Sequence, residues 1–582
     1  MCRHLFHHAV FVLMAVLTPS QGLAEQKPNV LFIVLDDLND WTGFLGGHPQ
    51  ARTPNMDRLA QSGMLFTNAH CAAPSCNPSR AAVFTGIPPH QSGIYNNSQK
   101  LRDVLPDKVL LPRHFSDHGY WSAGSGKLLH YIIDPSSWDD YFPEKTKDYP
   151  FPRTYVPSKR PVSLPVAGAW QYVETDWAAL DLSDEEYGGD WLVSRWIGEQ
   201  LQRKHDKPSF LACGIYRPHE PWFVPRKYYE PFPLNSIQTG PGYEANDLED
   251  VPTAGRQVAR NRYFEHIQKE GQWKQAIQAY LASIYYADAM VGRVLDALEK
   301  SPARENTIVV LWSDHGWHLG EKEHWQKFTA WRLCTRVPLI IHVPPGCPGL
   351  PGGTKAGSVC DQSVSLTSLY RTLSELCGIP SLPQAQVPSL VPLLKAPQGD
   401  WPHSAITQLS HPESYSVSQA HWRYIHYENG DEELYHTADD PYEKINLLHS
   451  TPKEEHLRRA TELRSHAPAK AVPVPAVPLA SLPALPWYPA GADPSPPSQP
   501  DGNPLSITFV NHREEPVDMF WISPAGEAKP FGRLHPAKTQ ERKSRPGVVW
   551  EFRSLQGKPL GYFKVGDRQA RGDIPDTLSP GR

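Results

Sequence analysis

The sequence has no excess of positive charge. Its 57 Lys and Arg residues are outnumbered by 62 Asp and Glu residues, and the resulting formal net charge of −5 is spread along the chain. No basic footprint is present, so we expect no nucleic-acid partner. Long apolar runs are missing after the N-terminus, which excludes a membrane span in the mature chain. The only Asn-x-Ser/Thr sequon lies at Asn96, so heavy N-glycosylation is not expected.

Cysteine is also scarce, with eight residues in a chain of 582. Cys2 lies at the extreme N-terminus. The other seven are Cys71, Cys76, Cys213, Cys334, Cys347, Cys360 and Cys377. An odd number of cysteines outside the cytoplasm leaves one thiol without a partner, so we expect one of them to have a special role.

Residues 1–24 are typical of a secretory signal peptide. A basic start at Arg3-His4 precedes an apolar run over 9–17, and Gly22-Leu23-Ala24, with a small residue on each side of Leu23, offers a cleavage site. The alternative is a short membrane anchor, but the apolar run is too short to cross a bilayer comfortably. We expect a mature chain that begins near Glu25 and is secreted or periplasmic.

Strands alternating with helices predict an α/β fold with a mostly parallel sheet. The predicted strands are 29–35, 210–215, 307–312 and 337–343. One predicted helix begins after Thr53, and a second spans about 272–298. Ligands of such sheets bind beyond the carboxyl ends of the strands. Asp36-Asp37 and Asp314-His315 each follow a strand, so the fold can bring them together.

The C-terminal part of the chain has a different composition. Over 381–466 short β segments precede a predicted helix at 453–466. Residues 467–502 are rich in Pro, Ala and Ser, which predicts an extended linker. Short alternating strands over 503–582 predict a small β domain.

The sharpest motif is Cys76-Asn77-Pro78-Ser79-Arg80, followed by a short helix that Gly86 would end. Cys76 would begin this helix, where backbone N–H groups and the helix dipole favour an anion. Arg80 lies one turn later and can point at the same anion. Taken alone, the motif could equally be a buried cysteine beside a surface arginine.

This pattern resembles the sulfatase signature Cys-x-Pro-Ser-Arg…Thr-Gly, and the resemblance covers about residues 27–450 with most similarity to the iduronate-2-sulfatase branch. The supporting segments are Asn29-Val30-Leu31 through Asp36-Asp37, Thr53-Pro54-Asn55, Gly126-Lys127-x-x-His130, Arg217-Pro218-His219, Ser313-Asp314-His315-Gly316-Trp317 and Trp325-x-Lys327-Phe328. The resemblance implies an alkaline-phosphatase-like α/β/α sandwich at 25–380, with a smaller α+β C-terminal subdomain at 381–466.

The resemblance also implies that Cys76 is oxidised to formylglycine by a formylglycine-generating or equivalent maturation enzyme. The aldehyde hydrates to a diol, one hydroxyl attacks sulfur, and the second hydroxyl then expels sulfate. Such covalent catalysis divides one difficult step into two. The modification would consume the odd thiol and leave six.

The family's metal ligands match Asp36, Asp37, Asp314 and His315, with an oxygen of residue 76 completing the shell. Many sulfatases have Asn at the position of His315, whereas the iduronate branch has His. An Asp-Asp pair alone would be an ordinary solvated strand end. Hard oxygen ligands suit Ca²⁺ or Mg²⁺, and of the two we expect Ca²⁺. The ion would lower the pKa of the diol and hold a sulfate oxygen.

The remaining catalytic candidates are implied in the same way. Lys127 and Lys327 would neutralise charge on sulfate in the transition state. His130 and His219 would transfer protons, and which is acid and which is base stays open.

Two further features of the sequence need a separate interpretation. His318 and His324 match no motif of the family and are expected at the surface or on the substrate side. Gly124-Ser125-Gly126-Lys127 is not a phosphate-binding loop, because Leu128 follows the lysine.

The predicted function is a sulfuric ester hydrolase that acts on a sulfated sugar or polysaccharide, such as a glycosaminoglycan. The alternative within the superfamily is a phosphodiesterase or phosphonate monoester hydrolase. A non-enzymatic alternative is a secreted binding protein whose β module is the working part, but every catalytic position of the motif is retained. Loops at about 131–190 and 223–265 would determine the substrate.

Residues 503–582 resemble the β domain of the von Hippel–Lindau tumour suppressor, a small β-sandwich. The similar segments are Ile507-Thr508-Phe509-Val510-Asn511, Phe520-Trp521, Gly526-Glu527, Phe531, Leu534 and Gly547-Val548-Val549-Trp550-Glu551-Phe552. The resemblance implies a pocket for hydroxyproline in a peptide, with matching positions at Trp521, Phe531, Ser544 and Trp550.

Two departures weigh against hydroxyproline binding. Val548 replaces the pocket histidine and Phe531 lacks a tyrosine hydroxyl, whereas a buried hydroxyl needs polar partners. We expect an independent sandwich that helps place the enzyme on a protein or polysaccharide partner and supplies no catalytic group. A plain spacer domain with Trp521 and Trp550 in its core is the alternative.

Overall fold

A computed structural model of the chain describes residues 27–159, 161, 175–259, 263–474, 479–499, 505–545, 547–566 and 569–576. The predicted signal peptide, residues 1–24, lies outside the described residues. Within them, no helix combines the length and apolar character that a membrane crossing requires.

The centre of the fold is an eight-stranded sheet. Its strands are β1 (Asn29–Leu35), β2 (Met64–Phe66), β3 (Trp121–Gly126), β4 (Asp140–Phe142), β5 (Ser209–Ile215), β6 (Thr307–Ser313), β7 (Leu339–His342) and β8 (Ser358–Cys360). Their order is β8-β2-β7-β6-β1-β5-β3-β4. Among these strands only β7 runs antiparallel to its neighbours, and the other pairs are parallel.

Helices cover both faces of the sheet. The longer ones are α1 (Pro54–Ser62), α2 (Cys76–Thr85), α3 (Leu111–Asp117), α4 (Asp190–Gln202), α5 (Trp273–Glu299), α6 (Ser368–Leu376) and α7 (Glu454–Ser465). Val30, Phe32 and Val34 of β1 pack with α2, α3 and α6. Leu31 and Ile33 point to the other face and pack with α1, α4 and α5. This alternation makes β1 the middle of a three-layer α/β/α sandwich.

Three of the four predicted strands are confirmed to within one residue, and so is the long helix α5. The strand predicted over 337–343 is divided. Arg336–Val337 pairs with Ala69–His70 in a separate small sheet, whereas β7 begins at Leu339. Pro338 lies between the two pieces, and the break follows because proline has no N–H to donate to a ladder.

The segment after the central domain forms a smaller α+β unit. Strands β9 (Ala405–Gln408), β10 (Tyr415–Gln419), β11 (Trp422–His426) and β12 (Glu432–His436) make an antiparallel sheet in chain order. Helix α7 packs on this sheet through Ala460 and Leu463, against Val417, Tyr424 and Leu434.

The C-terminal residues form two further sheets. The strands are β13 (Trp487–Pro489), β14 (Leu505–Asn511), β15 (Val517–Ile522), β16 (Ala528–Leu534), β17 (Thr539–Ser544), β18 (Val549–Arg553), β19 (Pro559–Lys564) and β20 (Ala570–Ile574). They are ordered β13-β19-β18-β15-β16 and β17-β14-β20. Apolar side chains of both sheets, including Phe509 and Phe552, share one core.

Part of the predicted linker is built into this sandwich. Strand β13 lies within 467–502 and pairs with β19. At the other end of the linker, the backbone of Val472 bonds with His90 and with the hydroxyl of Tyr95. The segment is therefore attached at both ends, although its composition alone predicts an extended chain.

Candidate active site

Two neighbouring strand ends create the site. Strands β1 and β6 pair in parallel with Leu35 opposite Ser313, so the residues that follow them emerge side by side. The backbone N–H of Asp37 donates to Oδ1 of Asp314 over 3.1 Å. Asp37 has a φ of 62°, in the left-handed region that Asp tolerates better than most residues.

Cys76 is the first residue of α2, and its side chain is fully buried. Gly86 ends the helix with a φ of 72°, as expected. The Sγ atom lies 3.2 Å from Nζ of Lys327, 3.3 Å from Nε2 of His315 and 3.7 Å from Nζ of Lys127. Burial opposes ionisation, but these three groups hold the pKa of the Cys76 thiol well below its usual range. The position thus favours negative charge at residue 76.

Arg80 is also fully buried, one turn after Cys76. Its Nε donates to Oδ2 of Asp314 over 2.8 Å and its Nη2 to Oδ1 of Asp36 over 3.0 Å. Its Nη1 donates to the carbonyl oxygens of Lys127 and Leu128. We expected Arg80 to point at the same anion as Cys76, and the structure differs. The guanidinium instead holds two carboxylates and the backbone that follows β3.

The two carboxylates that Arg80 joins differ in their electrostatics. Burial raises the pKa of Asp36, but the adjacent ammonium of Lys127 and the guanidinium of Arg80 outweigh it and bring that pKa below its usual range. Burial raises the pKa of Asp314 to about 6, against the opposing effect of Arg80. Asp36 is the more firmly ionised member of the pair.

The two candidate proton-transfer histidines lie at the same site. His219 places Nδ1 2.6 Å from the carbonyl oxygen of Glu220, which leaves Nε2 facing Oδ2 of Asp37 at 3.7 Å. Burial lowers the pKa of His219, but the Asp37 carboxylate outweighs burial and raises it. Burial also lowers the pKa of His130, and here it prevails over a hydrogen bond with Cys76.

An aromatic wall beside Lys127 was not anticipated from the sequence. The Lys127 ammonium lies 4.8 Å from the ring centroid of Tyr131 and 5.2 Å from that of Tyr216. Phe151 packs edge-on against both tyrosine rings. Tyr131 and Phe151 belong to the loop expected to determine the substrate, but no motif marks them. Only the adjacency of Tyr131 to His130 could have drawn attention to the segment.

The expectation that His318 and His324 lie at the surface is wrong. Both are buried, with exposures of 1% and 2%. His318 bonds to the hydroxyl of Thr329 through Nε2, and His324 bonds to the carbonyl oxygens of Ala259 and Lys327. A buried imidazole needs hydrogen-bond partners, and the loop that carries Lys327 supplies a partner to each of them. The two histidines therefore support this loop.

The donor set fits a divalent cation. Single ligand atoms of Asp36, Asp37, Cys76 and His315 all lie within 4.8 Å of one another, and all four residues are buried. Oδ2 of Asp37 is buried without a hydrogen-bond partner in the described part of the chain. Carboxylate oxygens of this kind are ligands that Ca²⁺ and Mg²⁺ prefer. Asp314 lies outside this group of four, and its oxygens accept from Arg80 and from the backbone of Asp37 and His315.

Comparison with known proteins agrees with this arrangement. Residues 28–379 match the family model described as Sulfatase. A sulfatase of Formosa agariphila is 39% identical over 430 residues, covering 72% of this chain and 83% of the relative. The iduronate 2-sulfatase of Homo sapiens is 30% identical, with 62% of this chain and 71% of the relative covered.

Solved structures share the fold. A 2-O GAG sulfatase is 22% identical with a TM-score of 0.57, covering 76% of this chain and 91% of its own. The phosphonate monoester hydrolase of Agrobacterium radiobacter is 20% identical with a TM-score of 0.58, covering 75% and 94%. The alkaline-phosphatase-like fold is thereby confirmed. Since the family model spans more than half of the chain, the protein belongs to the sulfatase family and is a sulfuric ester hydrolase.

Proposed function

We propose that the protein removes sulfate from a sulfated sugar or polysaccharide in the manner of an iduronate 2-sulfatase. The observation that carries this proposal is the position of Cys76, at a helix start between the ammonium groups of Lys127 and Lys327. Similarity to the iduronate 2-sulfatases of mouse and human, each 30% identical, supports the choice of a sulfated uronic acid in a glycosaminoglycan.

The nucleophile in this proposal comes from residue 76. Oxidation of Cys76 to formylglycine, by a maturation enzyme that acts on cysteine, supplies a hydrated aldehyde whose oxygen attacks sulfur. A divalent cation, with calcium as our first choice, would be held by Asp36, Asp37, Asp314 and His315 and would lower the pKa of that oxygen. Arg80 fixes the carboxylates of Asp36 and Asp314 and acts as a positioning residue.

The cationic side chains around residue 76 bind and stabilise the sulfate. Lys127 approaches it from the end of β3 and Lys327 from the loop that follows β6. Their ammonium groups are preorganised in a water-poor site, where such charges stabilise a developing anion most strongly. We assign to both lysines the neutralisation of charge on the transferred sulfate.

Proton transfer falls to the two histidines. The hydrogen bond from Nδ1 of His219 to the Glu220 carbonyl fixes the ring and presents Nε2 to the site. His219 follows β5, whereas His130 approaches residue 76 from the segment that follows β3. One imidazole protonates the departing alcohol and the other accepts a proton from the second hydroxyl, which are the tasks of a general acid and a general base.

Export and the C-terminal module complete the proposal. Removal of residues 1–24 would release a secreted or periplasmic enzyme. The module at 503–582, which resembles the von Hippel–Lindau β domain, would bind a partner and supply no catalytic group. None of the residues discussed for catalysis belongs to it.

The test is the mass of the peptide that contains Cys76. Protein produced with and without a formylglycine-generating enzyme should differ in that peptide, and turnover of an aryl sulfate should follow the modified fraction. Full turnover by protein whose Cys76 is entirely a thiol would overturn the mechanism. Oligosaccharides with and without 2-O-sulfated iduronate then test the substrate separately.

A phosphodiesterase or phosphonate monoester hydrolase is the second candidate. It is favoured by the fold shared with the phosphonate monoester hydrolase and by a cationic site whose charges suit either anion. Rates on aryl sulfate, phosphate diester and phosphonate monoester with the same leaving group separate the candidates. A preference for the phosphorus esters would replace the sulfatase proposal.

A further inference from the structure

One side of the C-terminal sandwich combines two edge strands. Strand β16 is the last strand of the five-stranded sheet, and β17 is the outer strand of the three-stranded sheet. A short turn at 535–538 joins them. Nη2 of Arg542 on β17 donates to the carbonyl oxygen of Phe531 on β16 over 3.3 Å, so the two strands lie side by side across the gap between the sheets. We call residues 528–545 the β16–β17 edge.

This edge is strongly basic although the whole chain is acidic. It carries six Lys and Arg residues and one acidic residue, whereas the net charge of the chain is −5. Arg533 is paired with Asp518 at 2.7 Å, and the acidic residue, Glu541, is bonded to Ser506. Lys529, Lys538 and Lys543 are exposed and form no ion pair with a described residue. Their charge is therefore available to an anionic partner.

Aromatic rings lie among these charges. The Phe531 side chain is 49% exposed. The guanidinium of Arg542 lies 5.7 Å from the centroid of its ring, and the ring packs edge-on against Trp550 at 5.0 Å. The ammonium of Lys529 lies 5.6 Å from the Trp521 ring. Each ring is thus held beside a cation on the surface of the module.

Edge protection does not account for this combination. Lysine on an edge strand prevents pairing with another sheet, and Pro530 on β16 has the same effect. The exposed ring of Phe531 has the opposite effect, because it offers apolar surface to which another chain can bind. The exposed ring and the cations around it therefore suit a ligand that has both an apolar face and negative charge.

We propose that the β16–β17 edge binds a sulfated polysaccharide. The apolar face of a sugar ring packs on Phe531, and sulfate esters pair with Arg542 and Lys529, whose charged groups lie beside the rings of Phe531 and Trp521. Arginine suits this task because its fork of N–H donors matches oxyanions. The proposal rests on the proposed function for the choice of sulfate as the anion. It gives the module a task of its own, namely retention of the enzyme on a polymer between turnovers.

The experiment measures binding without turnover. Full-length protein carrying Cys76→Ala is titrated with heparin and with chemically desulfated heparin by calorimetry at two salt concentrations. We expect binding to heparin that weakens as salt rises, since a polyanion releases counterions on binding, and no binding to the desulfated polymer. Added Phe531→Ala, or Arg542→Ala with Lys529→Ala, should weaken binding about tenfold or more, the effect of losing roughly 1.4 kcal/mol.

Matched variants separate binding from folding. Lys558→Ala with Lys564→Ala removes the same charge from exposed positions at the opposite part of the five-stranded sheet and should leave affinity within about twofold of the parent. Phe531→Tyr keeps the ring and should keep affinity. Equal affinity of the edge variants and the Lys558/Lys564 variant would overturn the proposal. Binding of a hydroxyproline peptide that competes with heparin would replace it with a peptide site.

The failures of the two proposals can be told apart. Unmutated enzyme is assayed in parallel on a small aryl sulfate, which has no polymer chain to bind the β16–β17 edge. If the sulfatase proposal is wrong, the aryl sulfate is not turned over, and the heparin titration is unaffected. Conversely, an active sulfatase whose edge variants bind heparin as the parent does would remove only the inference about the edge.

Discussion

The ammonium nitrogen of Lys327 lies 3.2 Å from the sulfur of Cys76, although 251 positions separate the two residues in the chain. A second contact holds the two segments together, since the N–H of Phe328 donates to the carbonyl oxygen of Pro74 over 3.0 Å. Phe328 has a φ of 78°, a left-handed conformation that turns the chain immediately after Lys327. Assembly of the loop after β6 against the turn before α2 thus creates the cationic environment of residue 76.

This contact leads to the first prediction. Lys327→Ala should lower kcat on an aryl sulfate by about 10²–10³, the typical effect of removing one preorganised charge or donor from a transition state. Lys300→Ala, at an exposed position immediately after α5, is the control and should leave kcat unchanged. If Lys327→Ala raises KM with kcat intact, the lysine binds substrate only and does not stabilise the transition state.

Cys76→Ala should abolish turnover and leave the fold intact. The side chain is small and buried, and its loss removes the nucleophile without leaving a large cavity. Cys76→Ser should also be inactive in a host that modifies only cysteine. Circular dichroism and thermal unfolding check the fold of both variants. If Cys76→Ala has activity similar to that of the wild type, the proposed mechanism is wrong.

Removal of the cation should abolish turnover reversibly. We expect one divalent ion per chain by elemental analysis, lost on dialysis against a chelator and restored with calcium. Asp37→Asn should weaken ion retention, because it replaces a charged oxygen ligand whose second oxygen has no hydrogen-bond partner in the described region. A chelated, metal-free protein with undiminished activity would contradict the proposed role of Asp36, Asp37, Asp314 and His315.

The sequence was sufficient to predict the grouping of the strand-end residues. Asp36-Asp37 and Asp314-His315 could be placed together because parallel strands share one carboxyl edge, and the start of α2 at Cys76 followed from local helix signals. Directions of side chains were not predictable. Arg80 turns to two carboxylates because their positions depend on strands far away in sequence.

Other features depend on tertiary packing that local patterns do not contain. The wall of Tyr131, Phe151 and Tyr216 requires the path of a long loop with no periodicity. His318 and His324 are buried beneath the Lys327 loop, although histidine occurs on surfaces as readily as inside. Strand β13 has three residues in a Pro-rich stretch, too few to produce an alternating pattern. The division at Pro338, by contrast, was readable from the proline itself.

The buried carboxyl of Glu321 predicts a pH dependence of stability. Burial raises the pKa of Glu321 to about 7 from an ordinary value of 4.5, and nearby Asp40 and Asp247 act in the same direction. The folded protein therefore keeps a proton that the unfolded chain releases, so stability falls as pH rises from about 4.5 to 7. Glu321→Gln keeps an oxygen to accept the N–H of Leu319 and should lose this decline.

We expect Glu321→Gln to be the more stable protein at pH 8 by on the order of 1–3 kcal/mol, with a smaller difference at pH 5. Calorimetric Tm values of both proteins at the two pH values provide the measurement. Glu305→Gln, at a side chain that is 87% exposed, is the matched control and should show no such difference. A Gln variant less stable than the parent at pH 8 would show that Glu321 is ionised and paired in the folded protein.

Removal of the C-terminal module should spare the chemistry. A chain that ends after Val474 keeps the backbone bonds of Val472 with His90 and Tyr95 and every residue of the site, while it loses both sheets of the sandwich. Turnover of a small aryl sulfate should remain within about twofold of the full chain, the range of surface changes remote from a site. On a long sulfated polymer the KM should rise about tenfold, because the β16–β17 edge no longer holds the substrate. The two substrates must be compared on the same preparation. Equal loss on both would show that the module completes or stabilises the active site, and equal retention on both would show that it holds no polymer.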